Sequence, residues 1–207
     1  MSADHCRAMI ARLAIVLLAL AADPAMAQQA DRPGVKAGDR WQFVVYELTP
    51  PEMPNRTWVI KGVTSGGIEG TENGELLRLT PELNVIESPR HRDSNPLALS
   101  FPLRVGKQWR YTSDWLFKSK GSRGSTVFDV AITSYERVKV PAGDFDAFKV
   151  VAKGSLHGVS PINSIYAGQT TATYWYAPSA RAIVKSVSHN PYLGWTIVEL
   201  VELELQP

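Results

Sequence analysis

Hydrophobic and polar positions alternate with a period of two along most of the chain after residue 28. In 41–49, Trp41, Phe43 and Val45 fall on one face, with Val44, Tyr46 and Leu48 on the other. In the run that starts at Gly106, Trp109 and Tyr111 share one side, and Arg110 and Thr112 the opposite side. Phe128, Val130 and Ile132 alternate with Asp129, Ala131 and Thr133; later Trp195, Ile197, Val201, Leu203 and Leu205 oppose Thr196, Glu202 and Glu204. Runs of this kind, rich in Val, Ile, Thr and aromatics, predict strands. Turn signals separate them at Gly66-Gly67, Asn73-Gly74, Gly121–Gly124, Pro141-Ala142-Gly143-Asp144 and Asn190-Pro191. Runs at helical spacing are nearly missing. The fold class is all-β, with antiparallel strands in a meander, sandwich or barrel.

Three stretches interrupt the alternation. Thr49–Pro54 carries three prolines that remove ladder donors, which places it in a loop or at an edge. Ser88–Pro102, with Pro89, Pro96 and Pro102 around Arg90-His91-Arg92, reads as a joint between two sub-sheets, and His157–Gln169 as a flap or omega loop. The chain also echoes itself. Lys36-Ala37-Gly38-Asp39-Arg40-Trp41-Gln42-Phe43 matches Arg104-Val105-Gly106-Lys107-Gln108-Trp109-Arg110-Tyr111 as basic-x-Gly-x-x-Trp-x-aromatic. Residues 28–207 thus read as a single all-β domain, with two related β-units, about 35–100 and 101–207, as the duplicated alternative to coincidence.

The start of the chain has another character. Arg7 and Arg12 precede the apolar run Leu13–Ala22, which Asp23-Pro24 ends before Ala25-Met26-Ala27. A basic start, a short apolar core and a small-x-small site form a secretory signal cleaved after Ala27, and the run is too short to span a bilayer. Residues 1–27 are therefore expected to be removed, giving a periplasmic or secreted protein without a transmembrane anchor. The single cysteine, Cys6, precedes the apolar core and so cannot be a lipid-accepting cysteine. A mature chain without cysteine excludes disulfide scaffolding, thiol catalysis and thiolate metal sites.

Composition narrows the function classes. Lys+Arg is 22 against Asp+Glu 20, a net charge of +2, which excludes a dedicated nucleic-acid binder. Candidate catalysis is thin. His91, His157 and His189 lie in no metal-ligand spacing, no Gly-x-Ser-x-Gly elbow occurs, and Gly66-Gly67-Ile68-Glu69-Gly70 lacks the Lys-Ser/Thr of a phosphate loop. Asp144 and Asp146 sit at a hairpin turn, where Asp is favoured for capping backbone amides. No catalytic residue, metal site or cofactor is expected. The basic tip Lys118-Ser119-Lys120-Gly121-Ser122-Arg123 reads as a solvated turn or as a contact for anionic lipid headgroups.

Apolar residues on both faces of one strand are more informative. Tyr174-Trp175-Tyr176 points Trp175 one way and the tyrosines the other, and 41–48 behaves likewise. Either such strands lie between packed layers, or one face lines an aromatic pocket suited to an apolar ligand.

Phe101-Pro102-Leu103-x-x-Gly106-x-x-Trp109-x-Tyr111, Val140-Pro141-Ala142-Gly143-x-Phe145-x-Ala147-x-Lys149-Val150, Tyr174-Trp175-Tyr176-Ala177-Pro178 and Val184-Lys185 occur in that order. Over 101–205 this resembles uncharacterised exported bacterial proteins of the TapB-like kind, near the LolA/LolB-like superfamily of periplasmic lipoprotein carriers. The resemblance implies a curved antiparallel sheet forming a half-open barrel with few or no helices. By analogy it implies a carrier whose partner is a lipid, a lipoprotein or another envelope component. The candidate ligand-binding residues are Tyr46, Trp115, Tyr174 and Tyr176. The alternatives are an interaction module in envelope assembly, with the aromatics as core, or an envelope-polymer hydrolase in which His157 or His189 clusters with Asp144 or Asp146.

Overall fold

The computed structural model describes residues 28–47, 55–162, 164–192 and 194–207. The signal segment 1–27 and the proline-rich stretch 49–54 lie outside the described residues. The alternating runs become strands β1 (Gln29–Ala30), β2 (Arg40–Glu47), β3 (Arg56–Thr64), β4 (Gly67–Glu72), β5 (Glu75–Leu79), β6 (Val85–Glu87) and β7 (His91–Asp93). They continue as β8 (Leu103–Arg104), β9 (Gln108–Phe117), β10 (Ser122–Val140), β11 (Gly143–Val159), β12 (Ile165–Ala177), β13 (Ala182–Asn190) and β14 (Gly194–Glu204). Helical structure among the described residues is one short turn, Pro178–Ala180.

Over the described residues the antiparallel sheet closes into a barrel, in the order β10-β11-β12-β13-β14-β2-β3-β4-β5-β6-β7-β9, while β1 and β8 pair as a separate ribbon. The expected curved all-β barrel is present, and its closure goes beyond a half-open form. That closure is thin: β6 meets β7 through the single pair Glu87–Arg92, and β7 reaches β9 through His91–Phe117, Arg92–Leu116 and Asp93–Trp115.

Two irregular stretches take different forms from those read in the sequence. Ser88–Pro102 is not a joint between sub-sheets; it supplies β7 and then folds inward, leaving Leu99 fully buried. Asn84 holds it there, accepting the Leu99 N–H at 2.7 Å and donating to the Leu99 carbonyl at 2.9 Å. His157–Gln169 is not a flap, because β11 runs to Val159 and β12 restarts at Ile165. Its serines and glycines mask the alternation, since inward glycines make room for rings from neighbouring strands. A methyl on Gly158 would come within 2.5 Å of the Trp115 ring, and one on Gly124 equally close. Gly124 is accordingly a strand residue, and the turn before it is confined to 118–121.

One end of the barrel is plugged. Trp41, Ile132, Phe148, Tyr176 and Leu200 are each 0–1% exposed and form the floor, joined by Leu99 and Leu103. Asp39, fully buried, ties the chain ends there: it accepts N–H groups of Lys36 (2.9 Å) and Gln206 (2.7 Å) and pairs with Arg181 at 3.3 Å. The outward-facing Trp175 of β12 is covered by charged side chains of its neighbours. Trp175 lies under the ammonium groups of Lys149 and Lys185, 5.4 and 5.9 Å from its ring, and donates to Glu136 at 2.8 Å.

The two echoed segments adopt one geometry. Gly38 (φ 92°) and Gly106 (φ 87°) both take the positive-φ conformation that glycine tolerates. The Gly38 N–H bonds the Ile60 carbonyl and the Gly106 N–H the Ile132 carbonyl, each at 2.9 Å. The returning bonds, Ile60 to Asp39 and Ile132 to Lys107, are also both 2.9 Å. Each turn then sends an indole inward to a backbone carbonyl, Trp41 to Ala180 at 2.9 Å and Trp109 to Leu97 at 2.8 Å.

Candidate functional site

Above the floor the barrel is open, with a cavity of about 440 Å³ reaching the end formed by the β13–β14 turn. Period-2 alternation places its walls: inward positions Tyr111, Ser113 and Trp115 of β9 face Thr126 and Phe128 of β10, with Thr170, Ala172 and Tyr174 of β12 beyond. Phe43 and Trp58 complete the aromatic lining from β2 and β3. The rings are mutually braced. Tyr111 stacks on Phe128 with centroids 5.3 Å apart, and Phe43 meets Trp58 edge to face at 5.5 Å. The Trp115 indole donates to Thr126 at 3.1 Å. Small hydroxyl residues, Ser186, Ser188 and Thr196, continue the wall toward the mouth.

His91 and Asp93 of β7 form the polar side. His91 Nε2 lies 3.3 Å from Asp93 Oδ2, and Nδ1 lies 3.0 Å from Ser88 Oγ. Ser88 Oγ also accepts the N–H groups of Arg90 and His91 at 3.3 and 3.2 Å, which leaves its own proton for Nδ1 of a neutral imidazole. This serine–histidine–aspartate line orients the imidazole rather than readying an attack. Ser88 is 1% exposed and does not reach the cavity wall.

Tyr111 and Tyr174 are different. Neither phenol hydroxyl has a hydrogen-bond partner among the described residues, and both residues line the cavity. Burial, with the Asp93 carboxylate adding to it, pushes the Tyr174 hydroxyl up to about 12. Burial, then neighbouring Tyr174 and Asp93, raises Tyr111 well above the usual phenol range. Both stay neutral at ordinary pH, so each offers one donor and acceptor capacity toward the cavity.

The four sequence candidates separate spatially. Trp115 and Tyr174 line the cavity. Tyr176 is in the floor, 1% exposed, edge to face with Phe101 at 5.2 Å. Tyr46 is 46% exposed near the mouth end of β2 and is not part of the cavity wall. Tyr111, Phe128, His91 and Asp93 were not singled out as ligand contacts. Tyr111 carried a signal, since it shares the inward face of Trp109 two residues along, and continuing that face leads to Ser113 and Trp115.

The histidine–aspartate cluster required for a hydrolase does not form. His157 is near the mouth end of β11, whereas Asp144 and Asp146 begin that strand, with Asp144 beside Arg137 at 3.6 Å. At about 3.3 Å per residue, Asp146 and His157 are roughly 36 Å apart. His189 lines the cavity and packs on Trp195 at 4.8 Å, at the level of Lys153 through the pairs Lys153–Thr171 and Thr171–His189. That leaves it roughly 23 Å along the sheet from Asp146.

No family model matches the sequence, and no curated protein matches it. Solved structures do. A Bacteroides fragilis protein described as exported, with a YmcC-like fold, superposes with a TM-score of 0.52 at 16% identity, covering 84% of this chain and 99% of its own. A Parabacteroides distasonis protein described as a lipoprotein superposes with a TM-score of 0.54 at 15% identity, covering 84% and 99%. At such identities the likeness is one of fold, which the description of the Bacteroides fragilis protein gives as YmcC-like.

Proposed function

We propose that this protein is a non-catalytic binding protein of the cell envelope. It holds one amphipathic ligand (a lipid, the acyl chain of a lipoprotein or another envelope component) inside the barrel, as a carrier does. The observation that carries this reading is the pair of neutral, unbonded tyrosine hydroxyls set among the aromatic rings of the cavity. A volume of about 440 Å³ falls within the range of about 300–1,000 Å³ typical of small-molecule sites. The apolar part of the ligand packs against Phe43, Trp115 and Phe128. Its polar group bonds Tyr111 and Tyr174, which recovers the cost of leaving a polar group unpaired, about 1–3 kcal/mol. The signal-like start of the chain, the exported and lipoprotein descriptions of its structural neighbours and the resemblance to periplasmic lipoprotein carriers support an envelope location.

Native mass spectrometry with lipid extraction of protein purified from the periplasm is the direct test. Uptake of N-phenyl-1-naphthylamine and its displacement by monoolein is the second. The Tyr111→Phe/Tyr174→Phe variant is expected to bind the dye unchanged and monoolein about tenfold more weakly, from two hydrogen bonds of about 0.5–1.5 kcal/mol each. Protein that is always empty and takes up no dye refutes the reading.

For the organisation of the chain, we propose that residues 28–207 form one domain built from two related six-strand units. The shared geometry of the Gly38 and Gly106 turns supports it.

A further inference from the structure

The mouth of the barrel is lopsided. β12 pairs with β13 from Thr171–His189 downward, and Pro191 of the β13–β14 turn sits against Gly168. The ladder between β11 and β12 continues past that level to the pair Val159–Ile165, and the ladder between β9 and β10 to Phe117–Ser122. Strands β9–β12 thus extend beyond the mouth as a tongue. Its two turns touch, since a methyl on Gly121 would lie 3.0 Å from the Pro161 ring.

The tongue exposes large apolar side chains that no described residue covers: Ile162 at 84%, Ile165 at 78% and Val159 at 37%. Cross-strand register sets them in a row with cations. Arg92 pairs with Leu116, Leu116 with Arg123, Arg123 with Val159, and Val159 with Ile165, so two basic and three apolar residues share one row over five adjacent strands on one face. The tip segments 116–126 and 156–167 contain Lys118, Lys120 and Arg123 and no Asp or Glu, in a chain whose net charge is only +2. Lys118 is engaged with Glu87 at 2.8 Å, which leaves Lys120 and Arg123 as the outward charge of the tip.

We propose that this tongue docks the mouth of the barrel on the surface of an anionic phospholipid bilayer. Ile162 on the projecting turn and Ile165 at the start of β12, beside a wide, open and mainly apolar concavity shared with Leu116 and Val159, suit insertion among acyl chains, and the acid-free basic tip is complementary to anionic headgroups. Strands β10 and β11 are paired on both sides along the tongue, and on the edge of β12 beyond β13 the Tyr192 hydroxyl occupies both backbone groups of Ala167, which blunts that edge against another strand. Docking here would set the cavity mouth against the source or destination of an amphipathic ligand. It does not require the cavity to be filled, so this proposal and the binding function fail separately.

The test is co-sedimentation with vesicles of phosphatidylglycerol and phosphatidylcholine, compared with phosphatidylcholine alone. The protein is expected to sediment with the anionic vesicles and to be released by high salt. Lys120→Gln/Arg123→Gln should bind at least tenfold more weakly. Ile162→Ser/Ile165→Ser should also bind at least tenfold more weakly, with the remaining binding still released by salt. All these side chains are solvent-facing, so unchanged thermal unfolding and unchanged N-phenyl-1-naphthylamine uptake are expected of both variants. Absence of binding to anionic vesicles at low salt, or equal binding by the variants, overturns the proposal. So does a concentration-dependent dimer that Ile162→Ser/Ile165→Ser abolishes without vesicle binding, because the patch then belongs to a second copy.

Discussion

Strands β2–β7 and β9–β14 both begin on a positive-φ glycine turn that delivers an indole into the barrel, and there the likeness ends. The strands are 8, 9, 6, 5, 3 and 3 residues long in the first half and 10, 19, 17, 13, 9 and 11 in the second. The long half is held by its ladders and by inward apolar packing, and it supplies most of the cavity wall and all of the tongue. The short half runs out of backbone pairing and replaces it with buried charge. Glu72, 3% exposed, accepts the Trp58 indole N–H at 2.9 Å and Arg90 at 2.7 Å. Glu87, 6% exposed, accepts Arg92 and Lys118, each at 2.8 Å. Lys118 belongs to the β9–β10 turn, so Glu87 joins the weak end of one half to the strong half. Even the matching turns diverge at one position. Asp39 clamps Arg181 and the C-terminal segment, whereas Lys107 reaches the Ser100 and Pro102 carbonyls, holding the inward strap.

The largest expected effects lie in the two indoles. Trp41 is 1% exposed and Trp109 only partly buried. Trp41→Ala should cost about 3–5 kcal/mol, as a fully buried large-to-small change does, and Trp109→Ala about 2 kcal/mol. Urea unfolding with an unchanged slope measures both. Equal costs would mean that the floor of the barrel does not depend on the first half more than on the second.

Glu87 tests the charged closure. Hydrogen bonds from Lys118, then Arg92, lower its carboxyl from 4.5 to about 2. A depressed folded value stabilises the protein above about pH 4.5, and the contribution disappears as pH falls from 4.5 toward 2. Glu87→Gln should cost about 1–2 kcal/mol at neutral pH, with solvent screening around Arg92 keeping it below a fully buried pair. The same variant should flatten the loss of melting temperature on acidification across that window. An unchanged acid profile would show that β6 and β7 are held by something other than Glu87.

Alternation made the long half legible because each of its strands spans several in–out periods, as in Phe128–Thr133. Three-residue strands such as Val85–Glu87 and His91–Asp93 carry no period to detect, and their closure depends on charges brought from distant turns. Where inward glycine replaces an inward apolar residue, as at Gly154 and Gly158, the pattern vanishes although the strand does not. Trp115 and Tyr174 were nameable as candidates because aromatics on alternating strands are conspicuous. His91 and Asp93 were not, since their place in the wall follows from β7 closing the ring, which no local pattern encodes.

The smallest effect bears on the likeness of the two halves. A methyl on Gly38 would lie 3.1 Å from the Gln206 side chain, whereas nothing is within 4 Å of one on Gly106. Both sites share positive φ, so Gly38→Ala and Gly106→Ala should each cost about 1 kcal/mol or slightly more through backbone strain. Gln206 is exposed and its Nε2–Gly38 carbonyl contact is long at 3.4 Å, so its displacement adds only a few tenths of a kcal/mol. Matching values within that margin are expected from melting curves recorded side by side. A Gly38→Ala cost well above that of Gly106→Ala would show that the Asp39 clamp on the chain terminus, rather than the shared turn, sets the energy of the first site.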